Sequence, residues 1–116
     1  MKTNSNIKPS VFVNLNNGFW HYNYNIIESV KDTEYGQVTN YDYDTVRIEG
    51  SPTKDTVTKA VIAESYDVTK ELGIINDYRR YELELMNESA KEVYVEYLNN
   101  IQRIKDMVKV DIEFFN

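Results

Sequence analysis

This 116-residue sequence predicts an α+β fold: a small antiparallel three-stranded β-meander in the N-terminal half, packed against two or three α-helices from the C-terminal half. Three observations predict it. Aromatic and β-branched residues alternate with Asn and Asp from Trp20 to Ile48, which is the period of a strand. Beyond residue 51 apolar residues recur three and four apart, the period of a helix. Between the two lies Gly50-Ser51-Pro52, which ends one pattern and opens the other. The expected organisation is a single domain over residues 1–116, with the meander at 7–49, the helical part at 51–109 and a tail at 110–116. A chain this long buries roughly two thirds of its unfolded surface, enough for one core and too little for two.

Met1 to Asn6 is polar and is expected to be mobile until something ties it down. Ile7 to Leu15 alternates as a first strand, with Val11, Val13 and Leu15 on one face and Pro9 at its start or on an edge. Asn16-Asn17-Gly18 is a turn, because Asn and Gly tolerate positive φ. The second strand puts Trp20, Tyr22, Tyr24 and Ile26 on one face and His21, Asn23, Asn25 and Ile27 on the other. A break around Glu34-Tyr35-Gly36-Gln37 leads into the third, where Tyr41 and Tyr43 share a face but the apolar parity switches at Val46 and Ile48. A β-bulge near Asp44–Thr45 would reconcile the two halves.

Ser51 as N-cap and Pro52 at the first helical position begin a helix running to about Ser65, with Val57 and Val61 buried. Asp67 caps a second helix, whose stripe is Ile74, Tyr78, Tyr81 and Leu85. Ser89 and Glu92 have capping-box spacing ahead of the longest stripe, Val93, Tyr97, Ile101, Ile104 and Val108. The second and third helices fit one continuous rod as well as a hairpin. The tail, Val110 to Phe115, alternates like a short strand that pairs with a sheet edge of its own chain or of a neighbour.

Composition narrows the function classes. Hydrophobic residues at 41% and charged residues at 28% are globular values. A net charge of −6 leaves no basic stripe for nucleic acid or for an anionic membrane surface. With no cysteine and a single histidine, His21, zinc sites and hydrolase triads lack material. The four glycines are scattered, so no phosphate-cradling loop forms. Asn40, Asp42 and Asp44 project from one strand face and would suit calcium, yet the rest of a calcium loop is missing, and a solvated acidic face is the better account. No cofactor or metal is expected.

Half of the ten tyrosines lie in the long hairpin, and tyrosine gives large contact area at low entropic cost. The residues expected to make protein contacts are Tyr22, Tyr24, Tyr41, Tyr43, Ile112, Phe114 and Phe115. Several stretches carry a resemblance: Trp20-His21-Tyr22-Asn23-Tyr24, Gly50-Ser51-Pro52-Thr53, Ala60-Val61-Ile62 to Tyr66, Glu71-Leu72 to Tyr78, and Tyr94, Tyr97, Lys105 and Val108. In order and spacing these resemble small proteins of tailed phages and of prophages of gut bacteria. The last helix is also similar to the aromatic and basic C-terminal segment of tail-fibre assembly proteins, though it lacks the Trp usual there. The resemblance spans residues 7–109, rests on spacing and residue type, and transfers no functional residue. It implies a non-enzymatic virion component or tail or fibre assembly factor in the host cytoplasm or the particle. Its partners would be other virion or assembly proteins, with homo-oligomerisation possible. The alternatives are a cytosolic bacterial adaptor or regulatory module and, third, a small enzyme.

Overall fold

The computed structural model describes residues 2–115 and is α+β, with one four-stranded antiparallel sheet and three helices. In chain order these are β1 (Lys2–Ser5), β2 (Phe12–Asn14), β3 (Phe19–Thr33), β4 (Gly36–Glu49), α1 (Lys54–Ser65), α2 (Val68–Glu82) and α3 (Ser89–Phe115). The sheet order is β1-β4-β3-β2, so the expected meander is present and a fourth strand has been added beside β4. That strand is the polar N-terminal segment, which Lys2–Ser5 tie to Tyr41–Asp44 by strand pairing; Met1 lies outside the described residues. Its reason for pairing is electrostatic as much as backbone. Asn4 donates to Asp42 at 2.7 Å and the Lys2 ammonium lies 3.7 Å from Asp44, so an acidic strand face recruits a basic and amide-bearing edge.

Asn16 (φ 61°) and Gly18 (φ 86°) supply the left-handed turn between β2 and β3. Only Phe12–Asn14 of the first alternating stretch is a strand, because the chain before it serves another purpose. Ser10 and Val11 carbonyls accept from the side chain and backbone of Asn23, both at 2.8 Å. The irregularity in the long hairpin is real but sits on β3, between Tyr24 and Ile27, and not at Asp44–Thr45. Asn25 takes φ 53° there, a conformation open to Asn and costly for β-branched Thr45, and its amide donates to Asp44 at 3.0 Å. Beyond the bulge Ile27 pairs with Asp42, so it returns to the face that carries Tyr24.

Tyr22, Tyr24, Val46 and Ile48 form the sheet's half of the core, and Val57, Val61, Ile104 and Val108 the helical half. Trp20 packs at its margin, so the Trp20/Tyr22/Tyr24 face meets the helices as the alternation requires. α1 is capped by Thr53 in a box with Thr56, two residues later than Ser51 would place it. Pro52 keeps the preceding residue extended and is itself buried, so it anchors the entry to the helix instead of opening it. Asp67 caps α2 as expected, accepting from Lys70 N at 2.7 Å.

α2 and α3 are separate helices. α2 stops at Glu82, Glu84 takes φ 62°, and Leu85 lies beyond the helix, 64% exposed, rather than extending the stripe. Ahead of α3 the Asn87 side chain accepts from Ser89 N at 3.1 Å and from the Ser89 hydroxyl; Ser89 is the first helical residue, not the cap. The two helices meet along a seam in which Tyr78 stacks on Tyr94 at 4.2 Å, and at its end Tyr66, the C-cap of α1, meets Tyr97 edge-on at 5.0 Å. Tyr97 donates to Glu71, and that bond, with burial second, pushes its pKa up to about 12. Val93 is 48% exposed and off the seam, whereas Ala90 is buried in it.

The tail is helical, which overturns the expected strand over Val110–Phe115; Asn116 lies outside the described residues. Val110, Ile112 and Phe114 alternate, but Val108, Ile112 and Phe115 are also one helical turn apart, and only the helix delivers them to the core. Phe115 lies 4.7 Å from Phe12 and 5.4 Å from Trp20, and Asp111 accepts from the Tyr22 hydroxyl.

Candidate interaction surface

The long hairpin outruns its support. β2 meets β3 only at Trp20–Tyr22, and β1 meets β4 only at Tyr41–Asp44, while the β3–β4 ladder continues to Thr33 opposite Gly36. The distal part, from Ser29 to Asn40, is therefore a two-stranded arm with both backbone edges open among the described residues. Every residue from Lys31 to Val38 is exposed. The tip is tightly made: Thr33 Oγ1 donates to the Gly36 carbonyl at 2.7 Å and accepts from Tyr35 N at 3.2 Å, and Gly36 sits at φ 109°. Ile27 is 59%, Val30 55% and Tyr35 96% exposed. As a whole the molecule measures 60 × 38 × 22 Å with a radius of gyration of 18.2 Å. A compact chain of this length would have ~13 Å.

The residues expected to make contacts divide between core and surface. Tyr22 and Tyr24 are buried, at 0% and 7% exposure, and stack on each other at 5.2 Å. They cannot meet a partner without unfolding, and their chemistry is that of the core. Burial raises the Tyr22 pKa far above its ordinary value, aided by the Asp111 carboxylate, and burial also pushes Tyr24 up to about 12, with Asp44 and Glu64 adding to it. Tyr41 and Tyr43 are partly exposed on the opposite sheet face from the helices. Ile112 and Phe115 pack toward the core, and Phe114 is 87% exposed at the end of α3. Of the seven, Phe114 is the most exposed, Tyr41, Tyr43, Ile112 and Phe115 are partly exposed, and Tyr22 and Tyr24 are closed to a partner. The exposed apolar residues Val30 and Val38 of the arm, and Ile27 just before it, were missed as contact residues; their signal was apolar side chains set singly among polar ones beyond the bulge.

On the open sheet face a hollow of about 410 Å³ is bordered by His21, Asn23, Tyr43 and Thr45, beneath Pro9 and Ser10. Its floor is already satisfied: Thr45 donates to Asn23 Oδ1 at 2.7 Å and Asn23 donates to Ser10. That arrangement fastens the N-terminal segment to the sheet. Asn40, Asp42 and Asp44 do share a face, with Asp42 and Asp44 held by Asn4, Asn25 and Lys2. Among the described residues no group of three or more His, Asp or Glu side chains is placed to hold a metal ion. Dialysis against a chelator is expected to leave the thermal transition where it was. A fall of several degrees, reversed by calcium, would instead assign an ion to the Asp42–Asp44 face.

No helix is long and apolar enough to cross a membrane among the described residues. In comparisons with known proteins the chain matches no family model, no curated protein and no solved structure.

Proposed function

We propose that this protein is a non-enzymatic structural or assembly protein of the tailed-phage type, a virion component or a tail or fibre assembly factor that works by protein–protein contact. The observation that carries this reading is the β3–β4 arm. A two-stranded hairpin alone is marginal in water, and this one holds exposed Val30, Tyr35 and Val38 with both edges open. Open edges and alternating side chains are what a strand-adding partner recognises. The open-face tyrosines Tyr41 and Tyr43 lie at its root and extend the same contact surface.

A photo-crosslinking residue in place of Tyr35, which is 96% exposed, tests the proposal in cells producing particles. The expected result is adducts with capsid, portal, tail or fibre proteins. Adducts confined to cellular regulators would replace this reading with that of an adaptor module. A chain that crosslinks to nothing in such cells would remove the arm as a contact element.

A further inference from the structure

The helical hairpin carries a second apolar surface that its own chain leaves uncovered. α2 is a four-turn helix without one buried residue, and helices of that length draw most of their stability from packing. The tyrosine seam accounts for one face of each helix. Contacts of Glu71 with Tyr97 and of Tyr78 with Tyr94 fix the antiparallel register. With that register, helical spacing puts Leu72 and Ile75 of α2 on the same flank as Val95 and Leu98 of α3. Leu72 is 54%, Val95 45% and Leu98 46% exposed, and Ile75 is partly exposed. α1 and the sheet reach α3 from the other flank, through Asn100 on Tyr66 and Met107 on the core.

On α3 this flank has its own heptad spacing, Lys91, Val95, Leu98, Gln102 and Lys105, continued at the residue just before the helix by Glu88, whose carbonyl accepts from Glu92 N, and it is separate from the seam used by α2. We propose that it is a homodimer interface, with α3 antiparallel to α3 of a second copy and α2 antiparallel to its α2, closing a four-helix bundle. The occupant is a second copy because the flank is self-complementary about one two-fold axis. An axis level with Glu96–Tyr97 sets Val95 against Leu98 of the other copy, twice, and Glu88 against its Lys105, twice. The hairpin register brings the same axis level with Gly73–Ile74 on α2, where it sets Leu72 against Ile75 of the other copy. A single rotation thus pairs apolar with apolar on both helices and opposite charges at the rim, as an isologous interface requires. All neighbouring helices in such a bundle are antiparallel, the usual four-helix arrangement.

This interface concerns the helices and not the β arm, so it stands or falls apart from the function proposed above. The test is sedimentation equilibrium of the full chain over a range of concentrations. A monomer–dimer equilibrium is expected, and Leu98→Glu should raise the dissociation constant at least about thirty-fold, the effect of losing a central interface residue. Leu98 is half exposed, so the circular dichroism of the variant should match that of the parent. Glu88→Lys alone should weaken the dimer, and adding Lys105→Glu should restore it. A chain that stays monomeric at every concentration overturns the proposal. A dimer indifferent to Leu98→Glu, or charge reversals without recovery, overturns it too, and would move the contact to the strand edges.

Discussion

Tyr22→Ala should lower stability by about 3–5 kcal/mol, the range for truncating a core aromatic. Against a total of roughly 5–15 kcal/mol for a natural domain, that is a large share, and the denaturant midpoint is the quantity to follow. The ring is fully buried, stacks at 5.0 Å on Phe12 and at 5.2 Å on Tyr24, and donates its hydroxyl to Asp111. It therefore joins the β2 edge, the sheet centre and the last turns of α3. Tyr22→Phe separates the ring from the hydroxyl, since it keeps the packing and leaves the Asp111 carboxylate without its donor. The pH dependence gives an independent check. The ordinary tyrosine pKa is 10.0, and the folded protein raises both Tyr22 and Tyr24 above it. Above that pH the unfolded chain releases protons that the folded chain keeps, so stability is intact below pH 10 and falls as pH rises through the folded values. The alkaline loss should be shallower in Tyr22→Phe. An identical alkaline slope in parent and variant, or an unmoved midpoint in Tyr22→Ala, would show that Tyr22 is not in the core.

Deleting the residues after Lys109 should be nearly as damaging. Val110 to Phe115 are the last turns of α3, and the deletion removes Asp111, Ile112 and Phe115. Removing a buried aromatic contact and a buried aliphatic one costs about 2–5 kcal/mol each in typical cores. The partly exposed positions of Ile112 and Phe115 put each at the lower end. Tyr22 then loses its acceptor as well. The expected result is a chain that melts well below the parent or fails to fold cooperatively, without any prior change in oligomeric state. A truncated protein that folds normally but no longer self-associates would mean that the tail belongs to an interface between chains. The helical end in contact with Phe12 and Trp20 predicts the former.

Local chemistry made several elements legible in the sequence alone. Asn16-Asn17-Gly18 specified its turn because those residues accept positive φ; Asp67 specified a helix start because its carboxylate reaches the orphan amides of the first turn. The period of Trp20-Tyr22-Tyr24 fixed which sheet face is buried, since a two-residue repeat admits one inward set. Val57 and Val61 followed from the same logic at helical period. These signals lie within a few residues of where they act.

What only the tertiary structure decided depended on partners far away in the chain. β1 carries no apolar pattern; it is a strand because Asp42 and Asp44 happen to face it across the sheet. The tail offered both a strand and a helix, and the choice went to the helix because Ile112, Phe115 and Asp111 find Tyr22, Phe12 and Trp20 some ninety residues earlier. The bulge fell on Asn25 instead of Asp44–Thr45 because register is settled by both strands together, and the strand with the residue most tolerant of φ > 0 yields. Which tyrosines are surface and which are core was equally undetermined by composition. Tyr22 and Tyr41 stand in similar polar surroundings in the sequence, and only the helices laid over one face of the sheet make the first a core residue and the second a surface one.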